Sequence, residues 1–197
     1  MKFHPQDLIT LGIFSVIIIV INIMINMLSV FSPFLIPLTK ALSGLIVSIP
    51  FMLYLTRVHQ RGLITLMGLV LGVIMVLCGD YILTLASALI AGFAADFIFQ
   101  KARKTYSRAL IILSYSVFNL WSIGSLLPLL FMRKKIEAQV ASQLGVEYAH
   151  TFSRLFSAPV VFTTLAGIFI AGLLGAFIGL KMINEHFLRA GLVEKNG

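Results

Sequence analysis

The sequence predicts an all-α integral membrane protein, a six-transmembrane-helix bundle that forms one domain over residues 1–197. Hydrophobic residues make up 59% of the chain and charged residues 11%, whereas about a quarter of the residues in a soluble domain are charged. The apolar runs are continuous and approach or exceed the roughly 20 helical residues that cross a bilayer, without the alternating polarity of a transmembrane β-strand. We expect spans at 8–31, 34–55, 62–78, 81–99, 109–132 and 158–180, with an outer loop at 133–157.

The distribution of basic residues predicts that both chain termini are cytoplasmic. Six spans put the termini on the same side, and cytoplasmic segments are enriched in Lys and Arg. In this orientation ten of the 15 basic residues lie inside and five outside. The inner ones are Lys2, Arg57, Arg61, Lys101, Arg103, Lys104, Arg108, Lys181, Arg189 and Lys195, and the outer ones are Lys40, Arg133, Lys134, Lys135 and Arg154. The basicity does not predict nucleic-acid binding, because no soluble basic surface remains to carry it.

The last span carries a stripe of small residues. They recur at every fourth position, which puts them on one face of the helix. The stripe consists of Gly167, Ala171, Gly175 and Gly179. Another helix backbone can approach closely along such a face. We expect the stripe to pack inside the bundle, with docking of a partner subunit as the alternative.

Sparse polar side chains within the spans are candidates for a ligand site. Asn22 and Asn26 lie one turn apart on one face of the first span, and Asn119 lies near the middle of the fifth. An amide without a partner in hydrocarbon costs several kcal/mol. Each amide therefore bonds to a neighbouring helix or to a ligand, and the sequence leaves both possibilities open. The residues that we expect to line a cavity are Asn22, Asn26, Asn119 and Trp121, with Tyr148 and Phe152 closing over it.

The outer loop and three charged residues lead to further expectations. Residues 133–157 predict two short amphipathic helices, because apolar residues recur at helical intervals that Gly145 interrupts. Lys40 is expected to extend its ammonium group toward the outer surface. Asp80, in an outer turn, is expected to be a solvated acid or a helix cap, with a ligand contact as the alternative. Asp96, near the inner end of the fourth span, is expected to pair with Lys101, Arg103 or Lys104.

The sequence carries no motif of the common catalytic classes. It has no Gly-Lys pair, so it lacks the phosphate-binding loop of an ATPase, and it has no HExxH or GxSxG segment. The lone Cys78 forms no disulfide framework within one chain. Glu147 and His150 are too few for a metal site, which takes three or four ligands. We therefore expect a protein that is not an enzyme and that holds no metal or cofactor.

Several segments resemble one known family. They are Asp7–Phe14, Gly92–Asp96, Gly145–Tyr148, Gly175–Lys181 and His186–Gly191. Each segment is loose alone, but their order and spacing are similar to the Trep_Strep (MptD-type) family, a group of proposed substrate-binding S components of bacterial energy-coupling factor (ECF) transporters. The resemblance implies an S-component-like bundle in the cell membrane with a ligand cavity open to the outside. It also implies docking onto a transmembrane T subunit that works with two ATPase subunits.

Two positions depart from the family pattern. S components often carry an Ala-x-x-x-Ala pair on the first helix for docking, and of the matching residues here, Gly12 and Val16, only Gly12 is small. The family tail has a lysine where Glu185 stands. The resemblance implies capture of a small molecule, such as a vitamin or related micronutrient, without an ATPase in the chain itself. The alternative is a small self-sufficient secondary transporter or channel, which would need coupling-ion carboxylates or inverted repeats.

Overall fold

Helices account for every regular element in the part of the chain that the computed structural model describes, residues 4–57 and 60–183. The α-helices are α1 (Pro5–Asn26), α2 (Ile36–Arg57), α3 (Leu63–Leu77), α4 (Ile82–Thr105), α5 (Arg108–Asn119), α6 (Pro128–Phe131), α7 (Arg133–Leu144), α8 (Val146–Leu155) and α9 (Ala158–Met182). Short 3₁₀ segments lie at Met27–Val30, Pro33–Leu35 and Leu120–Ser125. The segment His186–Gly191, Glu185 and the predicted inner cations Lys2, Arg189 and Lys195 lie outside the described residues.

Four helical segments are long and apolar enough to cross a membrane. They are Pro5–Val30, Pro33–Arg57, Ile82–Thr105 and Ala158–Met182. Helix α3 is also apolar, but its 15 residues extend about 22 Å, which is less than the roughly 30 Å of a hydrocarbon core. The prediction of an all-helical, multi-pass membrane protein is therefore confirmed. The count of six spans stays a prediction.

The fifth predicted span, 109–132, was expected to be one continuous helix, and this expectation is wrong. Helix α5 ends at Asn119, and the chain continues as a 3₁₀ segment to Ser125 before the single turn of α6. Pro128 has no N–H to donate to the carbonyl four residues earlier. Gly124 packs so tightly on α4 that a Cβ atom there would lie 2.5 Å from the Thr84 Cα atom. Pro128 therefore interrupts α-helical hydrogen bonding just before α6, and Gly124 lets the 3₁₀ segment lie close to α4.

Large apolar side chains face outward on the long helices. On α4, Ile90 is 71% exposed, and Phe93 and Phe97 are each 69% exposed. On α9, Phe162 and Phe177 are similarly exposed, at 64% and 61%. Apolar patches of this size are not stable in water but are the expected surface of a protein in lipid.

The small-residue stripe of α9 packs against α2 over its second half. A Cβ atom at Gly175 would lie 3.0 Å from the Leu45 Cα atom, and one at Gly179 would lie 3.0 Å from the Met52 Cγ atom. Ala171 is also buried. Gly167 is different, because a Cβ atom there would meet none of the described residues within 4 Å. The expectation of internal packing thus holds for the second half of the stripe.

Gly12 resembles Gly167 in having free space beside it. A Cβ atom at Gly12 would meet no atom of the described residues within 4 Å. The close packing that brings α1 into the bundle therefore does not depend on this glycine. A role for Gly12 in docking a partner stays a prediction.

Helices α3 and α4 form the closest antiparallel pair. A Cβ atom at Gly68 would lie 2.5 Å from the Ala88 carbonyl oxygen, and one at Gly92 would lie 3.2 Å from the Thr65 Cα atom. At one end of the pair, the Asp96 carboxylate accepts the Gly62 N–H with both oxygens, at 3.1 and 3.0 Å. Asp96 was expected to pair with a basic residue. The structure instead uses it at the N-terminus of α3, where unpaired N–H groups favour a negative charge.

We predict that Gly175→Leu destabilises the bundle by about 1–3 kcal/mol, the usual cost of overpacking. The leucine would push α9 away from the backbone of α2 at Leu45. Gly167→Leu is the matched control, because it makes the same change on the same helix where space is free. Thermal unfolding in mild detergent measures both variants. Equal stabilities for the two variants would contradict the packing described here.

Candidate ligand-binding site

A cavity of about 250 Å³ lies at the end of the bundle that carries α7 and α8. Its wall is built from the C-terminal ends of α1 and α3, the N-terminal ends of α2 and α4, the 3₁₀ segment after α5, and α8. The lining residues are Asn22, Asn26, Ser29, Ile36, Lys40, Met75, Asp80, Thr84, Trp121, Ser122, Ser125, Leu126 and Phe152. We call this space the end cavity.

Two opposite charges face the end cavity. The Lys40 ammonium donates a hydrogen bond to the Ser122 carbonyl oxygen at 3.1 Å. The Asp80 carboxylate accepts a hydrogen bond from the Thr84 hydroxyl at 3.4 Å. Among the described residues, Lys40 and Asp80 form no direct ion pair, although each feels the charge of the other. The space between them can hold a ligand that is polar at two points.

Burial raises the pKa of Asp80 above its ordinary value of 3.8. The positive charge of Lys40 and the hydrogen bond from Thr84 offset part of this increase. A carboxylate with a raised pKa in a cavity is typical of functional sites, since an inert acid would be more stable in water.

Lys40 differs from its sequence-based expectation. It was expected to extend toward the outer surface, but the structure turns its side chain into the bundle. The 3₁₀ segment ends the regular α-helix after Asn119, and its Ser122 carbonyl accepts hydrogen bonds from both the Lys40 ammonium and the Ser125 hydroxyl. Asp80 lines the cavity wall, and a ligand contact at this residue stays a prediction.

The amides of α1 form one wall of the cavity. Asn22 is buried, and its Oδ1 atom accepts a hydrogen bond from the Ser43 hydroxyl at 2.7 Å. The Asn22 Nδ2 group donates to the Ile18 carbonyl at 3.1 Å, and the Asn26 Nδ2 group donates to the Asn22 carbonyl at 2.8 Å. Both amides of this predicted pair therefore line the cavity, and their hydrogen bonds to the helix fix their orientation.

Trp121 and the neighbouring serines reach the cavity because of the 3₁₀ segment. The Ser87 hydroxyl of α4 donates to the Trp121 carbonyl at 2.8 Å and holds the segment against α4. Gly124 permits this close approach, since a Cβ atom there would lie 2.1 Å from the Ser87 Oγ atom. The predicted cavity residue Trp121 is therefore positioned by a glycine and a serine on a segment that sequence reasoning treated as part of a helix.

Asn119 lies outside the lining of the end cavity. Its Nδ2 group donates to the Ile168 carbonyl of α9 at 3.0 Å. The same amide fills the space beside Gly44 of α2, where a Cβ atom would lie 2.2 Å from Asn119 Nδ2. The structure thus gives this amide the helix-to-helix role that the sequence left open as the alternative to ligand contact.

Helices α7 and α8 cover the cavity. Phe152 lines it directly, and Tyr148 stacks on Phe152 with the ring centroids 6.4 Å apart. The Tyr148 hydroxyl donates to the Ser29 carbonyl at the cavity edge at 2.6 Å, and burial raises the pKa of this hydroxyl. On α7, Gln139 accepts a hydrogen bond from the Tyr81 hydroxyl at 2.5 Å. Two short helices form where the sequence predicted them; α8 is strongly amphipathic and borders the site, whereas α7 is only weakly amphipathic and packs beside α8.

Sequence reasoning missed the role of Lys40, Thr84 and the serines in the cavity wall. A signal for Lys40 and Asp80 was present, because two opposite charges stand at the same end of otherwise apolar spans. Such charges are costly unless they meet a partner or a ligand. The serines gave no signal, since serine is common in membrane helices as a bonding partner for the helix itself.

We predict that Asp80→Asn flattens the pH dependence of stability. The folded protein binds the Asp80 proton more tightly than the unfolded chain, because the pKa is raised on folding. The contribution of Asp80 to the free energy of unfolding is therefore fully present below pH 3.8 and is lost as the pH rises through the raised pKa. Thermal unfolding between about pH 4 and pH 7 measures this slope. Glu147→Gln, at an exposed position of α8, is the control. A slope unchanged by Asp80→Asn would contradict the burial of this carboxylate.

A family model described as a hypothetical bacterial integral membrane protein (Trep_Strep) matches residues 5–189 of the chain. No functionally curated protein and no solved structure shows significant similarity to this chain. The match covers all of the described helices, and several of these can cross a membrane. The protein is therefore a multi-pass membrane protein, and the chain belongs to the Trep_Strep family of bacterial integral membrane proteins.

Proposed function

We propose that the protein is the substrate-capture (S) subunit of an ECF-type importer. The observation that carries this proposal is the end cavity, a small and partly open site between helix ends, with a mainly apolar lining and a few polar groups. Binding sites typically combine an apolar lining with a few placed polar groups. Here Trp121 and Phe152 supply apolar surface, and Lys40 and Asp80 supply the charges.

The residues indicate the kind of ligand. A cavity of about 250 Å³ is smaller than the roughly 300–1,000 Å³ of sites for drug-sized compounds. Among the described residues the Lys40 ammonium has one acceptor, the Ser122 carbonyl, so a ligand can accept further hydrogen bonds from it. The Asp80 carboxylate can accept hydrogen bonds from a donor group. We infer a small ligand with an acidic or carbonyl group at one side and a donor group at the other, such as a vitamin or a related micronutrient.

The proposal includes six spans and two cytoplasmic termini. Helix α3 and the broken segment from α5 to α6 would supply the two spans beyond the four long helices. The end cavity would then face outward, and Arg61, Lys101 and Lys104 would lie at the cytoplasmic ends of α3 and α4, in agreement with the preference for positive charge inside. Since the sequence has no phosphate-binding loop, transport would require a T subunit and two ATPase subunits.

The second candidate is a self-sufficient proton-coupled transporter, and Asp80 is the observation that favours it. A carboxylate with a raised pKa at a ligand cavity is the kind of group that a proton-coupled carrier uses. Against this candidate, the Asp80 carboxylate lies near one end of the bundle. A coupling group needs access to both sides of the membrane in turn.

Reconstitution in liposomes separates the two candidates. The ligand is first identified by mass spectrometry of small molecules that remain bound through purification in mild detergent. We expect the isolated protein to bind this compound without accumulating it under a proton or sodium gradient, and to support uptake when T and ATPase subunits are added with internal ATP. Concentrative uptake by the isolated chain would overturn the proposal in favour of the second candidate.

We predict that Lys40→Gln and Asn26→Ala each lower ligand affinity by about tenfold or more. A lost hydrogen bond to a charged group is worth about 1.5–3 kcal/mol, and tenfold corresponds to about 1.4 kcal/mol. Asn119→Ala is the matched control for Asn26→Ala. It removes an amide of equal size that bonds to α9 outside the cavity, so we expect lower stability with little change in affinity.

Isothermal titration and thermal unfolding measure affinity and stability on the same samples. The site assignment is wrong if Asn119→Ala weakens binding as much as Asn26→Ala at equal stability. It is also wrong if Lys40→Gln binds the compound as tightly as the wild type.

A further inference from the structure

A second cavity, a groove between α3 and α4, lies at the opposite end of the bundle from the end cavity. Its volume is about 630 Å³. The groove is bounded by Leu66 and Leu69 on α3 and by Phe93 and Phe97 on α4. Since both phenylalanines are 69% exposed, the groove opens toward the outer surface of the bundle. We call it the α3–α4 groove.

The groove exists because the two helices differ in length while their backbones meet closely. Gly68 and Gly92 let the axes approach. Helix α4 then continues beyond the start of α3 with 24 residues against 15. The extra turns carry Gln100, Lys101 and Lys104 past the N-terminus of α3 and form a polar end on an apolar groove.

Three cations border this polar end. Arg61 precedes α3, and Lys101 and Lys104 lie on α4, all with exposed side chains. The one carboxylate in the lining, Asp96, is only 8% exposed, and it is engaged by the Gly62 N–H group. The mouth of the groove is therefore positive, although an acid lies beneath it.

Gln100 provides a separate indication that the polar end takes a ligand. It lines the groove, and its Nε2 atom is buried without a hydrogen-bond acceptor among the described residues. Buried donors without acceptors are rare in folded proteins because each one loses its hydrogen bonds to water. If the Gln100 side chain turns toward the mouth of the groove, an anionic oxygen there supplies the acceptor that this amide lacks.

We propose that the α3–α4 groove binds an anionic phospholipid. The phosphate group lies among Arg61, Lys101 and Lys104, and an acyl chain follows the apolar floor between α3 and α4. The charge pattern selects this occupant: basic groups at one end of a groove that is otherwise apolar match a lipid with a charged head and an apolar chain. Basic sites between membrane helices at the cytoplasmic side are where anionic head groups bind.

The test uses the purified full chain in mild detergent and two lipids with identical acyl chains, phosphatidylglycerol and phosphatidylcholine. Native mass spectrometry gives the affinity for each lipid. We expect phosphatidylglycerol to bind at least about tenfold more tightly, since each basic residue near an anionic surface contributes about a fivefold gain. Raising the salt concentration reduces the difference, because exposed charges are screened.

The double variant Lys101→Gln/Lys104→Gln should lose most of this preference. Its matched control is Lys134→Gln/Lys135→Gln, which removes the same charge from exposed positions of α7 and should keep the preference. Phe93→Ala should weaken both lipids alike, whereas Phe177→Ala, on the lipid-facing side of α9, should have little effect. Unchanged melting temperatures show that each variant is folded.

Three results would overturn the proposal. Equal binding of the two lipids by the wild type would show an unselective lipid contact. Equal loss of preference in the α4 and α7 double variants would show a general effect of net charge. If Lys101→Gln/Lys104→Gln keeps the lipid preference but loses a protein that co-purifies with the wild type, the groove is a subunit interface. None of these measurements depends on the ligand of the end cavity, so this proposal and the proposed function fail separately.

Discussion

Close approach of helix backbones at glycine is the constraint on which the rest of this structure depends. In lipid, helices gain little from hiding apolar side chains, since the lipid tails are equally apolar. Association depends instead on tight packing and on hydrogen bonds between helices. Gly175 and Gly179 bring α9 onto α2, Gly68 and Gly92 join α3 to α4, and Gly124 brings the 3₁₀ segment onto α4. Each contact leaves no room for a side chain.

The end cavity follows from this packing. The helices meet closely along their middle around large apolar side chains, and at the α7–α8 end amides, hydroxyls and two charged groups line a cavity beside a second apolar cluster. Two charges in this region carry a desolvation cost that hydrogen bonds to Ser122 and from Thr84 reduce only in part. Core residues such as Leu71 and Phe51 are fully buried, so the stable middle of the bundle offsets the cost of a polar end. This division between a stable core and a costly polar site is common where a protein binds a ligand.

Sequence patterns predicted the class of fold but not which side chains are packed against a neighbouring helix. Hydrophobic length gave α1, α2, α4 and α9 to within a few residues at most ends, because lipid imposes a minimum span. The four-residue spacing of small residues predicted that Gly167 and Gly175 lie on the same face of the last helix and pack against a neighbour. It could not show that only Gly175 has a neighbour, since the position of α2 is set by tertiary packing.

The sequence predicted only some residues of the candidate site, because tertiary packing also decides which side chains reach the cavity. Asn22, Asn26, Trp121 and Phe152 line the end cavity, and Tyr148 stacks at its edge. Asn119 has the same chemistry but bonds across to α9, because the helix ends at this residue and turns its side chain between α2 and α9. Lys40 bonds to the Ser122 carbonyl, which lies on the 3₁₀ segment where the fifth span is broken. Neither event follows from periodicity, since both depend on where a helix stops.

The walls of the end cavity are held in place by different interactions. The α3–α4 pair cannot separate without breaking the Asp96–Gly62 hydrogen bonds and parting Gly68 from Gly92. Helices α7 and α8 are instead joined to each other by the contacts of Arg133 with Ser153 and of Glu137 with His150.

The α7–α8 pair meets the bundle through the hydroxyls of Tyr81 and Tyr148 and through buried side chains such as Phe152. A hydrogen bond of this kind contributes about 0.5–1.5 kcal/mol, and the burial of Ile136, Phe152 and Phe156 in one apolar cluster with Ile123 and Leu126 adds more than either hydroxyl does. The α7–α8 pair is therefore held to the cavity mainly by apolar packing, while the two charged groups of the cavity, Lys40 and Asp80, stand on other walls.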